Sequence, residues 1–315
     1  MIFVDMMSPV GHVRINSFYL NSLWQEGDVL MIGRQLSKKF DGFNKVIIKD
    51  NSSSKFNRIF IAFQVICQLI CKPGHKVCFL SYDLALMPIV MLILRVVNCQ
   101  VFAFEHNTVP ETNLKKVFQR ASGKDLLHIT YAKHISLVFD GLGLSSCVVD
   151  HPALTPERAS TWPEVRYIES IKVKFDKVIY SPSGSVLWDD IQQMATKHPE
   201  HLFVFKGEPL TDETNIVSFR LIEGYLEMLL LCDAVYIPFD WRTKVSGPFY
   251  EAMALGKVVV LKDNEFGRFC KSRFPNNVEY CVAKINSNVM SKVDVLDYNN
   301  QVVSNLIKIF DVLVK

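Results

Sequence analysis

Two adjacent runs in the second half of the chain combine residue types that can hold an anion and a sugar. Cys232-Asp233-Ala234-Val235-Tyr236-Ile237-Pro238 reads as a buried strand, and Ser246-Gly247-Pro248-Phe249-Tyr250-Glu251-Ala252-Met253-Ala254-Leu255-Gly256 reads as a helix bounded at both ends. Ser246 suits the N-cap, Pro248 the first turn and Gly256 the position just past the last turn. Such a helix start offers backbone N–H groups and the positive end of the dipole, and Gly247 lets a phosphate approach the main chain closely. Glu251, one turn further on, can accept two hydrogen bonds from a vicinal diol such as a ribose. The plain alternative is an ordinary helix on a sheet with Glu251 in solvent.

Other polar residues fall where strands end. Gly11-His12 follows the first strand, and Glu105-His106 closes the apolar run Cys99-Gln-Val-Phe-Ala-Phe104. His12 and Glu105 are candidates for a general base if a hydroxyl must be deprotonated, because both reach the carboxyl end of a strand. Ser183-Gly184 follows the strand ending at Ser181, Lys206 ends another, and Arg242, Thr243 and Lys244 precede the helix start. A short Ser/Gly loop suits close backbone approach to phosphate, and a leaving diphosphate needs positive charge beside it.

Residues 178–263, and above all the run from Ser246 to Val260, resemble the donor site of GT-B glycosyltransferases, especially the family 4-like (glycosyl transferases group 1) bacterial enzymes. The resemblance implies an α/β fold of two Rossmann-like, doubly wound domains facing a central cleft. It implies transfer of a sugar from a nucleotide diphosphate sugar, of the UDP or GDP class, with no further cofactor. Glu251 would hold the donor ribose, and the amides at Ser246 and Gly247 its phosphates. His106 would contact the transferred sugar, and Gly11-His12 would lie beside the donor phosphate or the acceptor. The acceptor implied is a glycan or lipid-linked oligosaccharide, as in surface polysaccharide biosynthesis.

The chain departs from that pattern in two places. Thr243 stands where the first of two glutamates would be, and the loop after the strand 176–181 lacks the usual Arg. Arg242, Lys244 and Lys206 are the expected substitutes for the missing cation. No Asp-x-Asp triad lies in these loops, so metal independence is expected. A nucleotide-sugar epimerase of the same build and a catalytically weakened glycan-binding module stay open as alternatives. Release of nucleoside diphosphate only in the presence of acceptor separates a transferase from both.

Hydrophobic periodicity supplies the elements that must position these residues. Strands are expected near 1–6, 28–33, 45–49, 75–81, 99–105, 126–130 and 146–150, with helices at 13–26, 55–71, 84–97, 111–121 and 132–141. The pattern pauses in the proline-bearing stretch 151–170 and then restarts. Strands follow near 176–181, 201–206, 214–220, 233–238, 257–262 and 278–284, with helices at 186–197, 223–232, 247–255, 265–273 and 299–314. This gives an acceptor-binding domain over 1–155 and a nucleotide-sugar-binding domain over 156–315, whose last helix can pack back on the first domain.

Of the 315 residues 49% are hydrophobic and 21% charged, enough for two cores. A net charge of +3 is too mild for a nucleic-acid groove. The eight cysteines form no C-x-x-C pair, and Cys67 and Cys71 have no acidic or His partner at metal spacing, so reduced, buried thiols are expected. The start of the chain lacks a secretory pattern. The apolar stretch Leu84–Val97 is broken by Pro88 and Arg95, well short of the ~20 residues of a membrane span. A cytoplasmic protein is expected, with peripheral attachment at the inner face of the cell membrane as an option. Helix 55–71, with Phe56, Ile59, Phe60, Phe63, Val65 and Ile66, is expected to bury its apolar face against the sheet rather than in lipid.

Overall fold

In a computed structural model the chain is described at all positions except 10–11, 53, 107, 156–161, 183–187, 209–214, 240–243, 286–294 and 313–315. It divides into two compact units, the first comprising Met1–Pro152, Thr243–Val245 and Asn300–Lys315 and the second Ala153–Arg242 and Ser246–Asn299.

The first unit carries seven parallel strands: β1 (Ile2–Asp5), β2 (Val29–Gly33), β3 (Lys45–Ile48), β4 (Lys76–Ser81), β5 (Gln100–Phe104), β6 (Leu126–Thr130) and β7 (Ser146–Val148). Their order is β3-β2-β1-β4-β5-β6-β7, and each registered pair runs parallel. Strands covered on both faces must be apolar throughout, which is why β1, β2 and β5 read as continuous hydrophobic runs. Between them lie α1 (Val13–Leu23), the single turn α2 (Arg34–Ser37), α3 (Lys55–Ile70), α4 (Met87–Val96), α5 (Asn113–Ser122) and α6 (Lys133–Asp140). Ile61, Val65 and Leu69 of α3 and Val90, Met91 and Leu94 of α4 join Val4, Val77 and Phe79 in one core. At the chain's end Phe310 lays its ring 4.4 Å from that of Phe102, and its carbonyl accepts from Lys76 Nζ at 2.6 Å.

In the second unit, after α7 (Pro163–Ile171), come six strands: β8 (Lys177–Ser181), β9 (His201–Lys206), β10 (Ile216–Phe219), β11 (Ala234–Ile237), β12 (Val258–Leu261) and β13 (Val278–Glu279). They are ordered β10-β9-β8-β11-β12-β13, again parallel. The helices are α8 (Trp188–Lys197), α9 (Tyr225–Leu231), α10 (Gly247–Ala254) and α11 (Glu265–Arg273); α12 (Val295–Val312) starts in this unit and from Asn300 belongs to the first. The core gathers Ile179, Phe203, Ala234, Tyr236, Val258 and Val260.

Four expectations change. The stretch 151–170 is not irregular throughout, because Pro163 sits in the first turn of α7, where its missing N–H costs nothing. Glu164 then accepts the amides of Glu223 and Gly224, each at 2.8 Å. The strand expected at 278–284 stops at Glu279 and gives way to a 3-10 turn over Val282–Lys284. Cys67, Cys71 and Cys281 are exposed free thiols rather than core residues. On α3 the apolar residues divide between two faces: Val65 is buried and Ile66 partly so, but Phe56, Ile59, Phe60 and Phe63 face solvent.

Strand order reverses between β1 and β4 in the first sheet and between β8 and β11 in the second. Where neighbouring crossovers leave in opposite directions, a crevice opens at the carboxyl ends of the strands, and ligands of open α/β sheets bind there. The loops after β1, β4, β8 and β11 are therefore the ones to inspect. Among the described residues no helix is long and apolar enough to cross a membrane.

Candidate functional site

In the first unit the loop after β1 is held by a buried carboxylate. Asp5 accepts from Asn16 Nδ2 at 2.9 Å, Ser81 Oγ at 2.6 Å and the Ser8 amide at 3.0 Å, while Ser81 Oγ accepts the Met7 amide at 2.7 Å. These bonds tie the ends of β1 and β4 together at the switch point. The loop leads to His12, whose amide donates to the Pro9 carbonyl at 2.9 Å as the chain turns into α1.

His12 meets His106, with ring centroids 4.6 Å apart. The His106 Nε2 lies 3.0 Å from the Tyr131 hydroxyl, and the Tyr131 ring is 5.2 Å from that of His151. Burial pushes all three imidazoles below their ordinary range. His106 falls well below it, helped by repulsion from His12 and His151; His151 falls to about 4; His12 falls too, partly offset by Asp5. The cluster is neutral at pH 7, so each ring can accept a proton or a hydrogen bond.

Beside these rings is a cavity of about 300 Å³, lined among others by Ser8, His12, Arg58, Asp83, His106 and Thr108. Arg58 is paired with the buried Asp83, whose other oxygen accepts the Ala85 amide at 2.9 Å.

Glu105 is not in this cavity. Side chains alternate along a strand, so Phe104 and His106 line the space and Glu105 points the other way. It is 1% exposed, accepting the Tyr82 hydroxyl at 2.8 Å, His128 Nδ1 at 2.7 Å and the Thr108 hydroxyl. Gln119 Nε2 closes the network onto Tyr82 Oη at 2.9 Å and the Thr108 carbonyl at 3.0 Å. Enclosed by these donors, Glu105 faces away from the cavity and ties down the loop that carries His106, which is not the placement expected of a general base. Gly11 lies outside the described residues.

In the second unit α10 starts in the loop after β11. Ser246 caps it, its Oγ accepting the Phe249 amide at 3.2 Å, and is 1% exposed. The sequence suggests several available amides, but Pro248 has none and that of Phe249 is taken by the cap. Gly247 supplies the remaining amide of the first turn. A Cβ built on Gly247 would meet nothing within 4 Å beyond its chain neighbours and its own helix backbone, so among the described residues open space lies where a side chain would stand. Glu251, half-buried one turn on, accepts the Tyr225 hydroxyl at 2.5 Å, and the Tyr225 ring stands 6.3 Å from that of Tyr180. Burial, with the nearby Glu164 and Glu251 carboxylates contributing, keeps the Tyr180 phenol protonated.

Asn264, the cap of α11, accepts the Gly267 amide at 2.8 Å and donates to the Phe239 carbonyl at 2.8 Å, fixing the start of the loop after β11. Lys206 is half-buried at the carboxyl end of β9, and Lys244 is exposed two residues before the cap. Arg242, Thr243, Ser183 and Gly184 lie outside the described residues. Among the described residues one grouping has metal-ligand spacing, His198, Glu200 and His201. It sits where β9 begins, at the amino ends of the parallel strands, whereas α10 follows the carboxyl end of β11.

The structure thus brings together His12 and His106 in one unit, and Ser246, Gly247 and Glu251 in the other. Sequence reasoning missed Tyr131 and His151, although both follow the carboxyl ends of strands, where His12 and His106 were found. It also missed Arg58–Asp83 and Tyr225, for which no local pattern exists.

No family model matches this sequence, and no curated protein matches it significantly. Solved structures do match. The Anabaena protein Alr3699/HepE in complex with UDP and glucose superposes with a TM-score of 0.67 at 12% identity, covering 97% of this chain and 98% of that one. A glycosyltransferase from Rickettsia africae gives 0.65 at 12% identity over 100% and 98%. The lipopolysaccharide outer core galactosyltransferase WaaB in its apo form gives 0.54 at 11% identity over 98% and 91%. At such identities the likeness is one of architecture: this chain has the GT-B fold, built from two Rossmann-like, doubly wound units.

Proposed function

We propose that the protein transfers a sugar from a nucleotide diphosphate sugar, of the UDP or GDP class, to a hydroxyl of an acceptor. The observation that carries this reading is the start of α10: a capped helix at the switch point of its sheet, with open space over Gly247 and a half-buried carboxylate one turn on. A diphosphate suits the first feature and a ribose diol the second. The fold supports the reading, since it is shared with a protein whose structure contains UDP and glucose.

In this reading Glu251, oriented by Tyr225, holds the ribose, and Ser246 and Gly247 hold the phosphates. Lys244 and Lys206, with Arg242, supply positive charge to the departing diphosphate, and Ser183 and Gly184 are further candidates for hydroxyl and amide contacts to it, with Thr243 beside them in the donor set. The acceptor oxygen bonds to the anomeric carbon as the bond from that carbon to the phosphate oxygen breaks. His12, neutral because burial lowers its pKa, takes the hydroxyl proton, and His106 orients the sugar or acceptor. No metal is needed where a helix start and cations neutralise the leaving group, so activity should survive EDTA. A glycan or lipid-linked acceptor, as in bacterial surface polysaccharide assembly, is the class we propose to test first.

The decisive experiment is a thermal-shift and calorimetric screen of UDP, GDP and their sugars, with Glu251→Ala alongside. Binding by the wild type that Glu251→Ala removes is expected. Absence of binding to every nucleotide would overturn the proposal. Release of nucleoside diphosphate only when acceptor is added then identifies transfer.

A further inference from the structure

The helices on one face of the first sheet carry an apolar surface that the fold leaves uncovered. Helix α3 buries Ile61, Ala62, Val65 and Leu69, yet Phe56, Ile59, Phe60 and Phe63 form a second stripe at i, i+3, i+4 and i+7 on its outer side. Phe56 is 85% exposed. A helix apolar on two opposite faces belongs between two apolar environments. One is the sheet, and among the described residues of this unit nothing supplies the other.

The stripe does not stand alone. Helix α4 packs beside α3 and turns Ile89, Leu92 and Val96 outward; α5 packs beside α4 and exposes Leu114 and Val117. Scattered exposed hydrophobics are ordinary, but outward-facing stripes on three adjacent helices make a patch of the kind that marks an interaction surface.

Charge on the same helices selects the occupant. Helices α3, α4 and α5 contain no Asp or Glu, whereas they carry Lys55, Arg58, Arg95, Lys115, Lys116 and Arg120; Arg58, Arg95 and Lys115 pair with Asp83, Asp125 and Glu111 beside the helices, and Lys55, Lys116 and Arg120 add to the net positive charge. Lys49, from the adjoining strand end, lies 5.3 Å over the Phe60 ring. A two-fold contact with a second copy would set this net-positive surface against itself. An apolar surface edged by lysine and arginine complements a bilayer with anionic headgroups, which accepts aromatic side chains at the headgroup boundary and attracts cations.

We infer that the α3–α4–α5 face docks the protein on the surface of an anionic lipid bilayer. The phenylalanines of α3 enter the interface and the basic residues contact lipid phosphates. Arg58 of α3 also lines the cavity beside His12 and His106, so the docked face adjoins that cavity.

The test is co-sedimentation of the full chain with vesicles of phosphatidylcholine alone and of phosphatidylcholine with 30–40% phosphatidylglycerol (about one lipid in three, enough for a marked negative surface potential). Binding to the anionic vesicles is expected, weakening as salt is raised. Phe56→Ser/Phe60→Ser/Phe63→Ser should lower partitioning at least tenfold. Lys115→Gln/Lys116→Gln should lower it about fivefold per lysine on anionic vesicles only. If the triple variant loses its cooperative melting transition, Phe56→Ser alone, at the most exposed position, gives the same readout at smaller size. No binding to either vesicle, or a dimer in lipid-free buffer that Phe56→Ser dissociates, would overturn the inference. Vesicle binding and nucleotide binding are measured separately, so either can fail without the other.

Discussion

Gly247 is the residue at which fold and ligand make opposite demands. Among the described residues, beyond its chain neighbours and its own helix backbone, nothing lies within 4 Å of a Cβ placed there, and its φ is not in the left-handed region. Gly247→Ala should therefore leave stability unchanged or raise it by about 0.5 kcal/mol, through lost freedom in the unfolded chain. In the proposed complex the methyl group would enter the space of the phosphates, and nucleotide affinity should fall at least tenfold. Calorimetry and thermal melts read the two effects separately, and unchanged affinity would remove Gly247 from the phosphate site. Glu251→Ala should weaken nucleotide binding about a hundredfold, the loss of two charge-assisted hydrogen bonds at ~1.5 kcal/mol each. Tyr225→Phe keeps the ring and removes the hydroxyl that Glu251 accepts, so a smaller loss is expected there.

The elements explain why the motif was legible and why its neighbours were not. Ser246, Pro248 and Gly256 act within one helix, and local capping rules read such residues directly. Ser246→Ala should cost about 1 kcal/mol in stability by urea titration, since it removes the acceptor for the Phe249 amide. Glu105 shows the limit of the same approach. Its position at the end of β5 is correct in the sequence reading, but the alternation that aims Phe104 and His106 into the cavity aims Glu105 at Tyr82 and His128, contributed by other strands and loops. On α3 the pattern is clear but its use is not. A sequence shows that Phe56, Ile59, Phe60 and Phe63 share a stripe, whereas only packing decides which stripe faces the sheet.

At the scale of the whole molecule, buried imidazoles link stability to pH. The folded protein holds the His151 pKa at about 4, against an ordinary value near 6.5, and holds His106 low as well. Between those values the unfolded chain binds more protons than the folded one, so the contribution of these groups to stability is full at pH 7 and is lost as pH drops from about 6.5 towards 4. The melting temperature should follow that course, and His151→Gln should flatten it; an identical slope in the variant would show that His151 does not titrate on unfolding. Ligand linkage acts on the same quantity. A nucleotide at 100 times its dissociation constant should add about 2.7 kcal/mol to the unfolding free energy.

The sequence by itself determined the alternation of strands and helices and the capped start of α10. Each follows from residues near in the chain, through periodicity and capping. It also determined a likeness to GT-B glycosyltransferases that the fold bears out in architecture. Tertiary structure alone decided strand order, hence the switch points at β1/β4 and β8/β11, and it brought His12 against His106. It also enclosed Glu105, brought Tyr225 to Glu251 and left the outer stripe of α3 uncovered. These outcomes depend on partners up to a hundred residues away, such as Asp5 and Ser81 or His12 and His106, and no local pattern encodes a contact closed over that distance.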